Sequence, residues 1–206
     1  MDALAYRNFA SVPRAVNTFD ELETARLRLR MFAPGDAFEL SAITRDPKVM
    51  RYIGEGRPIS AQETAANLDS IINAFRRRGF GRWAVIHKDS GRLIGYCGFS
   101  TGIPAAGVEL AYMLARSFWG YGLATEAARA CLRYGFEELR LSAISAITRP
   151  SNRRSRRVME HLAMKFLCEK VYLSYDCVHY SIDRNDFTRD DSTYILHNSR
   201  MHDAPA

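Results

Sequence analysis

Lysine is nearly missing from this chain: of its 29 basic residues, all but Lys48, Lys88, Lys165 and Lys170 are arginine. Long hydrophobic runs are missing too. The longest uninterrupted one, residues 110–115, falls far short of the roughly 20 residues a membrane span needs. Residues 1–16 carry no apolar core followed by a small-residue cleavage site, so no secretory leader is expected. Cysteine is sparse and scattered: Cys97, Cys131, Cys168 and Cys177 form no C-x-x-C pair and read as reduced, mostly core thiols of a cytoplasmic protein. No stretch is rich enough in proline, glycine or serine to divide two domains. The G-x-x-x-x-G-K-[ST] phosphate loop does not occur, which excludes a P-loop nucleotidase. Gly79-Phe80-Gly81-Arg82-Trp83-Ala84 fits G-x-G-x-x-A but precedes a strand, so the dinucleotide reading fails. Membrane, fibrous, disordered and disulfide-scaffold classes are thereby excluded.

What is present is an average globular composition, 47% hydrophobic and 25% charged in 206 residues, enough for one domain. The net charge is +6. Arg149, Arg153, Arg154, Arg156 and Arg157 cluster with no acid among them. They are either a solvated face or the contact to an anionic ligand, because the guanidinium fork matches phosphate. No aromatic side chains interleave them, which argues against nucleic acid.

Periodicity lays out the elements. Residues 26–30 alternate as a strand. Asp36 caps a helix over 37–44. Ser60 and Glu63 have capping-box spacing and open a helix that ends near Gly79. Strands follow at 83–87, 93–99 and 108–114, a helix at 123–138, a strand at 141–148, a helix at 155–162, and a strand pair at 166–175 and 178–182. Residues 1–17 read as a loose arm, 18–185 as a single domain and 186–206 as a polar tail. The order implies an α+β fold, one mixed sheet flanked by helices.

The most informative segment joins the 108–114 strand to the 123–138 helix through Trp119-Gly120-Tyr121-Gly122-Leu123-Ala124-Thr125. Small residues let the backbone approach a ligand closely, and the first helical N–H groups and the helix dipole favour an anion there. The alternative is a glycine turn whose small residue packs on the sheet.

Residues 109–127, followed by Pro150-Ser151-Asn152-Arg153-Arg154-Ser155-Arg156-Arg157, resemble the GNAT superfamily of acetyl-CoA-dependent N-acetyltransferases. The nearest branch is the RimJ/RimL type, which includes ribosomal-protein N-terminal acetyltransferases. Leu22-Glu23-Thr24-Ala25-Arg26-Leu27, Asp46-Pro47-Lys48-Val49-Met50 and Gly91-Arg92-Leu93-Ile94-Gly95-Tyr96-Cys97-Gly98 match that branch in the same order. The resemblance implies a mostly antiparallel central sheet with a splayed strand pair forming a CoA groove. It also implies a cofactor site built from Met113, Leu114, Arg116, Trp119, Gly120, Tyr121, Gly122, Leu123, Ala124, Thr125, Asn152, Ser155 and Arg157, with no metal. Trp119 stands where the superfamily has Gln or Arg, as is usual in this branch, and Ala163 stands where it has the glycine that ends the last helix.

Acetyl transfer to an amine needs a base, an aligned thioester, an oxyanion donor and an acid. Glu109 is the best base, sharing a face with Ala111 and Met113; a salt-bridged or solvated carboxylate is the alternative. Ser155 is the candidate acid beside Tyr172, Tyr175 and Tyr180, and otherwise a first-turn residue. The backbone N–H near Met113 faces the oxyanion. The expected acceptor is a primary amine, a protein N-terminus or a small molecule, with a homodimer left open and neither membrane nor nucleic acid as partner. Asp46, Glu55 and Glu63 either attract a cationic amine or solvate their helices. The rival readings are a non-catalytic acyl-CoA-binding module and a basic RNA- or ribosome-associated protein.

Overall fold

Leu22, Leu27 and Leu29 are buried while their charged neighbours turn outward, so the first two strands, β1 (Glu21–Glu23) and β2 (Leu27–Arg30), each cover core with one face. The computed structural model describes residues 19, 21–101, 107–172 and 174–198; the arm expected over 1–17 lies outside them. Three helices follow: α1 (Ala37–Thr44), α2 (Pro47–Met50) and α3 (Ala61–Arg78). The Ser60–Glu63 capping box forms in both directions, worth about 1 kcal/mol, and Gly79 ends α3 in a left-handed conformation (φ 79°). Strands β3 (Arg82–His87), β4 (Leu93–Ser100) and β5 (Glu109–Leu114) make a meander. Helix α4 (Leu123–Glu137), strand β6 (Ala143–Thr148), helix α5 (Arg153–His161) and the hairpin β7 (Lys165–Tyr172) and β8 (Tyr175–Asp183) complete the expected series.

Among the described residues the strands, with a ninth, β9 (Ile195–His197), form one sheet in the order β7-β8-β6-β5-β4-β3-β2-β1-β9, antiparallel at every step except β5–β6. One hydrophobic layer lies between the sheet and α4, around Trp83, whose ring meets Tyr134 edge-on at 4.9 Å. A second lies under α1 and α3, around Leu40, Leu68 and Ile72. Sandwiching the sheet this way buries β4 along nearly its whole length. Gly95 and Gly98 let β4 approach its neighbours; a Cβ at Gly95 would sit 1.9 Å from the Met113 carbonyl oxygen.

The polar stretch expected as a tail from residue 186 packs on the domain as far as residue 198. Phe187 lies against Phe136 with ring centroids 5.1 Å apart, and Arg129 pairs with Asp190 at 2.7 Å. Ile195–His197 forms β9, antiparallel to β1, and the Glu23 carboxylate accepts from both Lys88 and His197. The sheet therefore reaches beyond residue 185, the expected end of the domain. Strands this short show no period in sequence, which is why β1 and β9 escape it.

Helix α5 ends as its sequence requires, but with the wrong residue: Ala163 sits at φ 58°. A Cβ in that region is strained by roughly 1–2 kcal/mol, part of which glycine returns as lost chain entropy. Ala163→Gly is therefore expected to raise stability by about 1 kcal/mol, read as a higher Tm in thermal denaturation. A lower Tm would refute the strain.

Candidate active site

Strand β5 is held by β4 along its whole length, from Glu109 opposite Ser100 to Leu114 opposite Gly95. Toward β6 it is held at one register pair only, Glu109 beside Ser145, where the Ser145 N–H donates to the Val108 carbonyl at 3.0 Å. Beyond that pair the two parallel strands diverge. The β6-facing edge of residues 110–114 has no strand partner among the described residues, a cleft lined by backbone donors and acceptors.

Leaving β5, the chain makes a 3-10 turn over Arg116–Phe118 and reaches the glycine loop. Gly120 (φ 86°) and Gly122 (φ 77°) are both left-handed, and nothing lies within 4 Å of where a Gly120 Cβ would be. The first α4 bond runs from the Glu126 N–H to the Gly122 carbonyl at 3.0 Å. The amides of Leu123, Ala124 and Thr125 in the first turn therefore have no intrahelical acceptor. Leu123 buries its side chain in the core, so only its amide can serve a ligand, while Tyr121 is exposed. Glu126 fixes the loop from below: it accepts from Thr24 Oγ1 (2.7 Å) and from Arg26 Nε (2.7 Å), and Arg26 donates to the Tyr121 carbonyl at 2.9 Å. This clamp ties the loop to the β1–β2 turn. Sequence reasoning missed it, because its partners lie about a hundred positions apart.

Alternation along β5 separates two faces. Glu109 and Met113 face the α1–α3 side, where a cavity of about 440 Å3 is lined by Asn67, Ser70, Arg78, Arg82, Tyr96 and Met113. Burial pushes the Glu109 carboxyl up to about 7, against the opposing pull of the Arg82 guanidinium. On the other face, Tyr112 Oη lies 2.8 Å from Ser155 Oγ and donates to the Ser155 carbonyl at 3.1 Å. Burial raises the Tyr112 phenol well above its ordinary value, so it stays protonated at neutral pH. A titratable carboxyl and a hydroxyl pair thus flank the same strand from opposite sides. The face of Tyr112 was legible from alternation; its partnership with Ser155 was not.

The remaining candidates have definite places. Asn152 caps α5, accepting from the Ser155 N–H (3.3 Å) and donating to Thr148 Oγ1 (2.9 Å). Trp119 donates its indole N–H to the Leu114 carbonyl at 2.8 Å, under the Arg154 guanidinium 4.6 Å above its ring. Arg116 pairs with Asp46 at 3.2 Å, which draws it toward α2 and away from the loop. Of the basic cluster, Arg149 binds the Arg51 and Gly54 carbonyls and stacks on Tyr175, and Arg156 donates to Tyr180. Arg153 and Arg157 are exposed on α5. The other acid candidates are engaged elsewhere: Tyr172 with His179 at 3.0 Å, and Tyr175 with the Glu55 carbonyl at 3.4 Å. Asp46, Glu55 and Glu63 each have a partner within the protein. Asp46 caps α2, and the other two share Arg57 at 2.9 Å each.

A splayed parallel pair, a glycine loop opening a helix and a capped α5 across the cleft define an acyltransferase of the GNAT type. The chain belongs to that family: the acetyltransferase (GNAT) domain model matches residues 26–165. It is similar to the uncharacterized N-acetyltransferase p20 of Bacillus licheniformis, 32% identical over 148 residues, which cover 71% of this chain and 83% of that one. The crystal structure of a GNAT-family acetyltransferase from Bacillus anthracis superposes with a TM-score of 0.70 at 27% identity, covering 80% of this chain and 99% of that one. Ribosomal-protein-S5-alanine acetyltransferase from Vibrio fischeri shares the fold, with a TM-score of 0.68 at 18% identity over 82% of this chain and 99% of that one.

A carboxyl whose folded-state value is raised holds its proton more tightly than in the unfolded chain. Its ionisation costs nothing below the ordinary value near 4.5, and the penalty grows up to about 7 and is constant above. Glu109→Gln is therefore expected to gain Tm over the parent as pH rises from 5 to 8. An equal Tm difference at both ends would show an ordinary, solvated carboxyl.

Proposed function

We propose that this chain moves the acetyl group of acetyl-CoA onto a primary amine by direct attack in a ternary complex. The observation that carries this reading is the placement of Glu109 and the Tyr112–Ser155 pair on opposite faces of β5, at the point where it leaves β6. Acid and base on the two sides of one gap suit a reaction in which amine and thioester approach from opposite sides of the sheet. The fit to CoA rests on the unpaired amides at the head of α4, the left-handed glycines with open space above Gly120, and the exposed Arg153 and Arg157. Trp119 at the loop's first position supports the RimJ/RimL type. No helix among the described residues is long and apolar enough to cross a membrane; a cytoplasmic location is part of the proposal.

In the mechanism, the amides of residues 120–125 hold the pyrophosphate, with Arg157 reaching the 3′-phosphate. Just past Met113, the β6-facing N–H of Leu114 pairs with the pantetheine arm, the Leu114 carbonyl being held by Trp119, and Asn152 keeps one side-chain N–H for the arm. Acetyl-CoA supplies the thioester carbonyl. Glu109, poised near neutrality, takes the proton released from the amine, directly or through a water. A backbone N–H near Met113 faces the oxyanion as the N–C bond forms. Ser155, hydrogen-bonded to Tyr112, returns a proton to the sulfur as the C–S bond breaks.

Glu109→Gln keeps the shape but cannot accept the proton. Steady-state assays are expected to show turnover reduced about 100-fold, with CoA affinity near that of the parent and part of the loss recovered at high pH. In the parent, rate is expected to rise as pH passes about 7, where Glu109 ionises. Full turnover by a folded variant at every pH would remove Glu109 from the chemistry.

Charge reversal at Arg153 and Arg157 is expected to weaken CoA more than dephospho-CoA in calorimetry, since only CoA carries the 3′-phosphate. Equal losses for both ligands would return these arginines to a solvated face.

A further inference from the structure

The cavity under α1 and α3 is lined by Ser100, the strand partner of Glu109, though not by Glu109 itself, and it has a charge pattern that the transfer reaction does not require. Two arginines line it, Arg78 at the last turn of α3 and Arg82 at the start of β3, and no acidic side chain does. The acids that the sequence places near this region are spent elsewhere, Asp46 on Arg116 and both Glu55 and Glu63 on Arg57. Arg82 is positioned by its neighbours: its guanidinium lies 5.3 Å from the centre of the buried Tyr96 ring, and its field reaches Glu109. Arg78 is half-buried and forms no ion pair with any described residue. A guanidinium held in a concave, partly apolar site without a counter-ion favours any ligand that supplies one, and its fork matches a carboxylate. It also repels a second positive charge.

We infer that the acceptor is a small amino acid-like molecule, an amine that also carries a carboxylate, held by Arg78 with Arg82 beside it. This rests on the transferase reading of the same site and narrows its substrate class. The carboxylate at the arginines would orient the amine toward Glu109, and a polyamine or a bare alkylamine would forgo that contact. A volume of about 440 Å3 suits such a molecule. Asn67, on the α3 side, offers a further donor to the same end, whereas the Ser70 hydroxyl already donates to the Ala66 carbonyl at 3.1 Å.

The test uses the intact protein and three acceptors of one length: 4-aminobutyrate, its amide, and 1,4-diaminobutane. Acetyl transfer is followed by CoA release. The acid is expected to exceed the amide and the diamine in kcat/KM by at least about tenfold, the scale of one charge-assisted contact. Arg78→Gln should collapse that ratio toward one, mainly through KM, and Arg78→Lys should restore part of it. Arg82 is left in place because it also acts on Glu109. A second readout needs no turnover: N-acetyl-4-aminobutyrate should raise Tm and its amide should not, with the difference lost in Arg78→Gln. If the acid and the amide behave alike in both readouts, the inference is overturned. If no amine is acetylated while the carboxylate product still stabilises through Arg78, the transferase reading fails and the carboxylate site stands.

Discussion

Strand β5 cannot satisfy both of its edges. Its pairing with β4 is complete, and the close approach of the two strands at Gly95 leaves no room for a side chain. Its pairing with β6 begins and ends at Glu109 and Ser145. Everything that resembles a site follows from that one asymmetry. The glycine loop is where β5 hands the chain to α4, the capped N-terminus of α5 lies where β6 hands it on, and the two helix starts converge on the gap the strands leave. A fully paired sheet of the same composition would bury the same apolar area and offer no backbone edge to a ligand.

The surroundings of the gap are fixed by polar contacts rather than by the core. The Arg26–Glu126 clamp sets the loop against the β1–β2 turn, and the Arg149 guanidinium fastens the segment after α2 to the entrance of α5. Both are Arg contacts to carbonyl or carboxylate oxygen over long sequence separations. The near-absence of lysine becomes intelligible on this view, because a single ammonium on a flexible stem makes such two-point contacts poorly. The opposite fates of the basic cluster belong here as well: Arg149 and Arg156 are structural, whereas Arg153 and Arg157 remain presented to solvent.

Much of this was legible in the residues. The capping box at Ser60 and Glu63 and the α4 start at Leu123 have local signatures, and the left-handed turn at Ala163 was implied by the family resemblance; each appears where it was expected. The face of Glu109 followed from alternation. What escaped was non-local. The hydroxyl bond between Tyr112 and Ser155 joins β5 to α5 across 43 positions, and the raised Glu109 carboxyl depends on burial that no spacing encodes. The pairing of the acids near α2 and α3 with Arg57 and Arg116 was likewise invisible in the spacing. Edge strands of three residues carry no period, and the polar run after residue 186 gave no sign that its last residues would pair with the first strand.

That last pairing joins positions 174 apart in sequence across His197 and Glu23. A contact of such separation costs most of the chain's loop entropy and is repaid by a three-residue ladder and half-exposed charges. Loop entropy therefore favours late assembly and early fraying of the β1–β9 border. It is also next to the β1–β2 turn that grips Glu126, so fraying there loosens the grip on the glycine loop. Strand β9, remote from the gap along the backbone, thereby acts as a latch on the order of the loop that begins α4.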